Sequence, residues 1–401
     1  MTQDKENGVP GLNVRQLSVD QFEERFAEEL ALQTGRKQVT ASKFTVGDEV
    51  EALAGASTTD THSLFYAGTI LQIQGNGNLE IKYEDDSVET DVDPETVMPN
   101  SRTDVYEDDE LIVVDGHIRV CSQDMPARLM AFKSSPHLFQ SSVLLDEAGK
   151  PSHTDLPFEQ HQVLAFTLPL SQPEGDVSRL CLVGAGGGTL PMTLQSTFPG
   201  KVSMDVVDSS AVVIKAATDY FGLQEGPQLK VHTADGIKFL EQAAPGSFDI
   251  LIVDAADSDA PNNPDSDPDG LEVPPAAFVE KDFFTGPLKK ALTSKGVFCM
   301  NILAGRRRLV RLAMLFEEVF ESVYILATDP NYFFYGFMEK KDWSPEQVVE
   351  AVIAMDGLEA ITIDAVTQVK KTKEHVADKT LLGWLDVAQF VSLCEDDKVI
   401  V

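Results

Sequence analysis

Between Leu180 and Pro191 an apolar run, Leu-Cys-Leu-Val, meets Gly184-Ala-Gly-Gly-Gly-Thr-Leu-Pro, and the next apolar run ends on Asp208, with Ser209 beside it. That order predicts a strand, a tight turn that brings backbone N–H groups against a ligand, a helix, and an acid placed to accept from ribose hydroxyls. Gly184, Gly186 and Gly188 are the positions where a side chain would collide with such a ligand. Asp235-Gly236 follows a third apolar run, where the carboxylate is placed to accept from the exocyclic amine of adenine. Asp254 ends a fourth run, at the carboxyl edge where ligands of open α/β sheets bind, and Asp257 lies just beyond it. Each residue alone reads as a turn or helix-cap acid, Asp235 above all. Together they predict a nucleoside-cofactor site, with Asp254 and Asp257 as the catalytic candidates.

The elements that must position these residues alternate from Val177 onward. Apolar runs predict strands over Arg179–Val183, Val202–Asp208, Leu229–His232, Phe248–Asp254, Gly296–Ile302, Ser322–Ala327 and Tyr332–Met338. Helical patterns fall at Leu190–Phe198, Ser210–Phe221, Gly236–Ala243, Glu280–Leu292, Arg308–Phe320, Pro345–Ala354 and Leu385–Cys394. This is an α/β doubly wound sheet. Seven strands whose last two can pair as a hairpin resemble the Rossmann-like sheet of class I methyltransferases, which implies S-adenosyl-L-methionine as cofactor.

Upstream, four regions of different texture divide the chain: 1–40 an acidic tail with a helical pattern, 41–100 a small all-β unit, 101–170 a β-rich extension, and 171–401 the α/β domain. Phe44-Thr-Val-Gly-Asp-Glu-Val, Phe65-Tyr-Ala-Gly-Thr-Ile, Ile81-Lys-Tyr-Glu-Asp-Asp and Val88-Glu-Thr-Asp-Val resemble Tudor-like domains. The resemblance implies a small β-barrel and a methylated-peptide site in an aromatic cage. Tyr66 and Tyr83 stand where such rings sit; the alternative is that they fill the core of a tiny barrel. The net charge of −33, from 32 Lys+Arg against 65 Asp+Glu, disfavours nucleic acid and anionic lipid and favours a cationic partner. No apolar run is long enough for a membrane span and no leader is evident, so a cytoplasmic setting is expected. The four cysteines lie far apart and read as reduced thiols. Neither His161 nor His232 has a partner at metal-ligand spacing, and no metal is expected.

From Arg128 to Val401 the chain resembles the spermidine-synthase-like group of methyltransferases, and within it the C-terminal domain of the methyltransferase-like protein 13 family. The residues that carry this are Gly184-Ala-Gly-Gly-Gly-Thr-Leu-Pro, Ala217-Thr-Asp-Tyr-Phe-Gly, Val231-His-Thr-Ala-Asp-Gly, Pro274-Pro-Ala-Ala-Phe-Val-Glu, Gly296-Val-Phe-Cys-Met-Asn-Ile and Lys398-Val-Ile-Val. The resemblance implies methylation of the α-amine of a translation elongation factor, hence a protein or peptide partner with a free amine. Two departures are Ser210, where a second acid is usual, and a longer acidic loop over 254–270. An α-amine, with a pKa of about 7.7–8.0, deprotonates near neutrality more readily than a lysine at about 10.4, so one or two carboxylates suffice as acceptors. The loop acids Asp259, Asp265, Asp267 and Asp269 would attract a basic peptide. Two alternatives remain: an aminopropyltransferase, which shares the Asp254/Asp257 spacing but carries an Asp at the position of Gly187, and a Tudor-type peptide-binding protein on an inactive scaffold.

Overall fold

The structure is a computed structural model and describes residues 44–53, 63–120, 123–136, 138–171, 175–256, 269–328, 330–370, 372 and 383–395. The tail helix expected within 1–40, Asp257, the loop acids Asp259, Asp265 and Asp267, Cys121 and the terminal Lys398-Val-Ile-Val lie outside these residues.

The first half is antiparallel. Strands β1 (Glu49–Leu53), β2 (Ser63–Ile73), β3 (Leu79–Tyr83), β4 (Val88–Val92) and β5 (Val97–Pro99) run in the spatial order β5-β1-β2-β3-β4. Their inward residues Val50, Ala52, Ile70, Leu79, Ile81, Tyr83 and Val92 form one cluster, and Phe44, Tyr66, Ile73 and Val97 pack against it. Val92 and Val97 come from opposite edges of the order, so the sheet curls on itself around this core. Next come β6 (Thr103–Glu107), β7 (Leu111–Val120), β8 (Gln123–Phe132), β9 (Phe139–Leu145) and β10 (Pro151–Ser152). Strand β7 runs unbroken through Gly116. The two groups are not tethered beads: Ser63 and Leu64 of β2 pair with Arg119 and Ile118 of β7.

Two short helices, α1 (Glu159–Ala165) and α2 (Thr167–Leu170), lead into the α/β domain. Its strands are β11 (Ser178–Val183), β12 (Val202–Asp208), β13 (Leu229–Thr233), β14 (Phe248–Val253), β15 (Leu271–Val273), β16 (Leu292–Ala304), β17 (Ser322–Ala327), β18 (Tyr332–Phe337) and β19 (Gly383–Asp386). The main order is β13-β12-β11-β14-β16-β18-β17-β19, with β15 on the edge of β16. All seven expected strands are present, the last two as the antiparallel hairpin. Alternate residues of β11, Leu180 and Leu182 against Cys181 and Val183, enter different apolar clusters, so the sheet is buried on both faces. Helices α3 (Thr189–Thr197), α4 (Ala211–Tyr220), α5 (Gly236–Gln242), α6 (Arg306–Val319) and α7 (Pro345–Ala354) follow the expected order.

Two expectations need correction. The helix expected over Glu280–Leu292 is instead Lys281–Phe283, a π-turn over Phe284–Leu288 and Lys289–Ala291. Pro287 lacks the N–H an α-helix needs there, and the wider turn accommodates its ring. The helix expected from Leu385 starts later, as α8 (Val387–Glu395), because Gly383–Asp386 pairs with β17 as an eighth strand in the main order. Asp386 and Gln389 exchange side-chain hydrogen bonds with each other's N–H groups, which marks the true start of α8. No helix of the described residues is long and apolar enough to cross a membrane.

Candidate active site

The turn after β11 is built as the glycine pattern requires. Gly184, Gly186 and Gly188 have φ of +101°, +49° and +75°, which L side chains rarely adopt. A Cβ on Gly184 would lie 1.9 Å from the Asp254 carbonyl oxygen, one on Gly186 2.5 Å from Ser141 Oγ, and one on Gly188 2.9 Å from Leu223. Protein atoms already fill the space a side chain would need at these three positions. Strand β9 braces the turn: Gly187 N–H donates to Ser141 Oγ (2.7 Å) and Thr189 Oγ1 to the Ser142 carbonyl (2.6 Å). The sequence reading missed Ser141, since a serine on a remote hairpin carries no local signal.

Asp208 ends β12 and lines the cleft in front of this turn. Its carboxylate accepts from Ala185 N–H (2.9 Å) and Ser210 N–H (2.8 Å). Burial pushes its pKa up, and those two N–H groups oppose the shift. Ser209 also lines the cleft, while Ser210 caps α4 by accepting from Val213 N–H at 3.2 Å. Asp235 caps α5 by accepting from Lys238 N–H (2.9 Å), and it too lines the cleft. Gly236 permits close packing: a Cβ there would lie 2.4 Å from Val183.

Asp254 follows β14, its own N–H donating to the Val183 carbonyl at 2.8 Å. One carboxylate oxygen accepts from Asn301 Nδ2 (3.0 Å), and the other lies 3.8 Å from His161 Nε2. Asn301 stands on β16 and His161 on α1. Among the described residues Asn301 Oδ1 and His161 Nδ1 have no hydrogen-bond partner. Burial holds His161 below its ordinary pKa of 6.5, against the attraction of Asp254. Asn301 was missed as a site residue; its signal was a lone amide in an apolar strand. Of the loop acids only Asp269 is described, and it pairs with Arg311 at 3.1 Å. His232 instead bonds Asp205 at 2.7 Å. The described residues hold no group of three or more His, Cys, Asp or Glu suited to a metal ion.

These groups share one cleft of 740 Å³. Its charged lining is Glu110, Glu159, Asp208, Asp235, Asp254 and Glu272, with no Lys or Arg among the described residues. Such a volume, against the about 300–1,000 Å³ usual for one small ligand, accommodates a nucleoside cofactor and part of an acceptor. Gly187 leaves no room for an acid: a Cβ there would lie 2.7 Å from Phe221 Cδ1 and 3.1 Å from Ser141 Cβ.

The sheet order and the acid-lined cleft at its carboxyl edge define an α/β fold of the methyltransferase and spermidine-synthase type. A probable spermidine synthase from Corynebacterium glutamicum ATCC 13032 superposes with a TM-score of 0.52 at 15% identity, covering 74% of this chain and 94% of that one. No family model matches the sequence. The human eEF1A lysine and N-terminal methyltransferase is 35% identical over 187 residues, 45% of this chain. The chain spans only 24% of that relative's length. The crystal structure of human methyltransferase-like protein 13 with SAH superposes with a TM-score of 0.44 at 25% identity, covering 51% of this chain and 93% of that one.

Proposed function

We propose that this chain is an S-adenosylmethionine-dependent methyltransferase acting on a protein amine, with the α-amine of an N-terminus, such as that of an eEF1A-like protein, as acceptor. The observation that carries this is the cleft itself, where six carboxylates and no described cation face one another. Both the donor's sulfonium and the acceptor's ammonium are positive, and such a cleft attracts both.

The residues present fit the cofactor. Asp208 already accepts two N–H bonds, and a carboxylate with about four lone-pair sites retains capacity for the ribose hydroxyls. Asp235 and Ser209 line the same cleft and would hold the nucleoside together with the Gly184 to Gly188 backbone. When bound, S-adenosylmethionine supplies a methyl group on a sulfonium. At the other end Asp254, held by Asn301 Nδ2, and the Nε2 edge of His161 present acceptors to an ammonium. Asp254 or His161 would take one proton from that ammonium, leaving its nitrogen lone pair free to accept the methyl group as the sulfur leaves. The products are the N-methylated amine and S-adenosylhomocysteine. Orientation contributes as much as proton transfer, because the reacting atoms must sit in line. Asp257, outside the described residues, is retained in the proposal as a second catalytic carboxylate by sequence alone.

The aminopropyltransferase reading is favoured by the shared scaffold, and Gly187 weighs against it. The acid which that resemblance puts at this turn, and which would repel the carboxylate of the intact donor, is absent and has no space. For residues 41–100, the curled five-stranded sheet supports Tudor-like ancestry. A methyl-peptide cage draws no support, since Tyr83 is buried and its hydroxyl donates to Glu89 at 2.8 Å. A cytoplasmic acceptor belongs to the same proposal. The test offers intact and decarboxylated donors with an N-terminal peptide and with putrescine, and reads products by mass spectrometry. Methylated peptide is expected; spermidine alone would overturn the reading.

A further inference from the structure

The active-site cleft is not walled by the α/β domain alone. Leu64 and Tyr66 of β2 and Ile118 of β7 line it together with Asp254 and Asp208. An apolar path connects the two ends. The Tyr66 ring stacks on Phe139 with centroids 6.2 Å apart, Phe139 and Leu64 pack on the cluster containing Phe158, and the Phe158 ring lies 5.8 Å from that of His161, which faces Asp254. Several contacts join the small sheet to the extension beside it. Arg102 donates to the Phe65 carbonyl (2.9 Å) and to Glu84 (3.2 Å), while its guanidinium covers Phe139 at 5.1 Å. Glu51, fully buried, accepts from Ser101 N–H and Ser101 Oγ, both at 2.9 Å.

We propose that Tyr66 is a specificity residue: with Phe139 and Leu64 it forms the wall along which the acceptor peptide runs beyond its reacting amine. This rests on the methyltransferase reading above. The occupant follows from the distribution of charge. The amine belongs at Asp254. Beyond it Phe158, Phe139, Leu64, Ile118 and Tyr66 give the cleft an aromatic and aliphatic wall, with Arg102 over Phe139 outside that lining; such a wall suits the backbone and uncharged side chains of an extended peptide. Between Asp254 and Tyr66 stand His161, Phe158 and Phe139, a path a single amino acid held at Asp254 does not follow as a chain would. The small sheet therefore makes the enzyme prefer a chain terminus over a free small amine.

The test compares the intact protein with Tyr66→Ala, Tyr66→Leu and Tyr66→Phe. The readouts are kcat/KM for a ten-residue N-terminal peptide and for a single amino acid amide, Kd for S-adenosylhomocysteine by calorimetry, and thermal melting. Tyr66→Ala is expected to lower the peptide-to-amide ratio of kcat/KM by about tenfold, through KM, the scale of one apolar contact in a specificity pocket. Tyr66→Leu keeps apolar bulk if Tyr66→Ala fails to fold, and is expected to show the same change in ratio; Tyr66→Phe restores the parental ratio. An unchanged ratio in both truncations, or a Kd shift that accounts for the whole effect, overturns this proposal and leaves the methyltransferase reading standing. A parent that methylates no peptide amine overturns both.

Discussion

Glu51 in the small antiparallel sheet and Asp254 at the edge of the parallel sheet are both carboxylates at strand positions, and they are held in opposite ways. Glu51 is fully buried and accepts from Ser101 N–H, Ser101 Oγ and, at 3.3 Å, His117 N–H, all beyond the small sheet's five strands. Its bonds join that sheet to the extension around β7. Asp254 accepts from one side chain, Asn301, and faces a cleft with His161 at its other oxygen. A carboxylate saturated by fixed donors is structural, and one left with open acceptor sites at a cavity can exchange a proton or hold a cation.

The largest effect that would break this contrast is expected at Asp254. Asp254→Asn preserves shape, so melting should stay near the parent, while single-turnover methyl transfer should fall by roughly 10²- to 10⁴-fold, the usual worth of a positioned proton acceptor. A near-parental rate would remove Asp254 from the chemistry. Next comes Asp208→Ala. Loss of charge-assisted hydrogen bonds worth roughly 1.5–3 kcal/mol should weaken S-adenosylhomocysteine binding by about 10- to 100-fold in calorimetry. Unchanged affinity would move the cofactor elsewhere.

Glu51 should respond in stability. Glu51→Gln turns an acceptor-only group into one that presents an NH₂ to Ser101 or His117, leaving a buried donor unsatisfied at a cost of about 1–3 kcal/mol. A lowered melting temperature with unchanged affinity for S-adenosylhomocysteine is expected. A variant equal to the parent in melting, but slow in transfer, would reverse the roles assigned to the two carboxylates.

What the sequence made legible follows the same division. The parallel strands are continuous apolar runs ending in acids, so both their positions and the clustering of Asp208, Asp235 and Asp254 could be read locally. β19 escaped because four residues give too little alternation to outweigh the helical pattern after them. Ser141, Asn301 and the cleft-facing place of Tyr66 escaped because they depend on pairings between distant segments: β9 with the glycine turn, β16 with β14, and β2 with β7. The aromatic pair Tyr66 and Tyr83 shows the limit most directly. Their spacing suggested one shared site, yet Tyr83 fills the small core as the plainer alternative held, and Tyr66 reaches the cleft.

The smallest expected effect sharpens the electrostatics at Asp254. His161 sits below its ordinary 6.5 because burial disfavours the charged ring, and Asp254 opposes that shift by attracting the proton. Removing the charge in Asp254→Asn must therefore move the His161 midpoint further down. A ring with a depressed pKa binds fewer protons in the folded than in the unfolded protein, so stability falls as pH drops below about 6.5 toward the folded value. Melting curves alone do not isolate it, since burial depresses His153 in the same direction. Imidazole nitrogen shifts by NMR, assigned with His161→Gln, do. A midpoint below 6.5 that falls again in Asp254→Asn is expected. A midpoint that rises in that variant would mean that the carboxylate does not act on the imidazole across their 3.8 Å separation, and that the two do not work as one acceptor group.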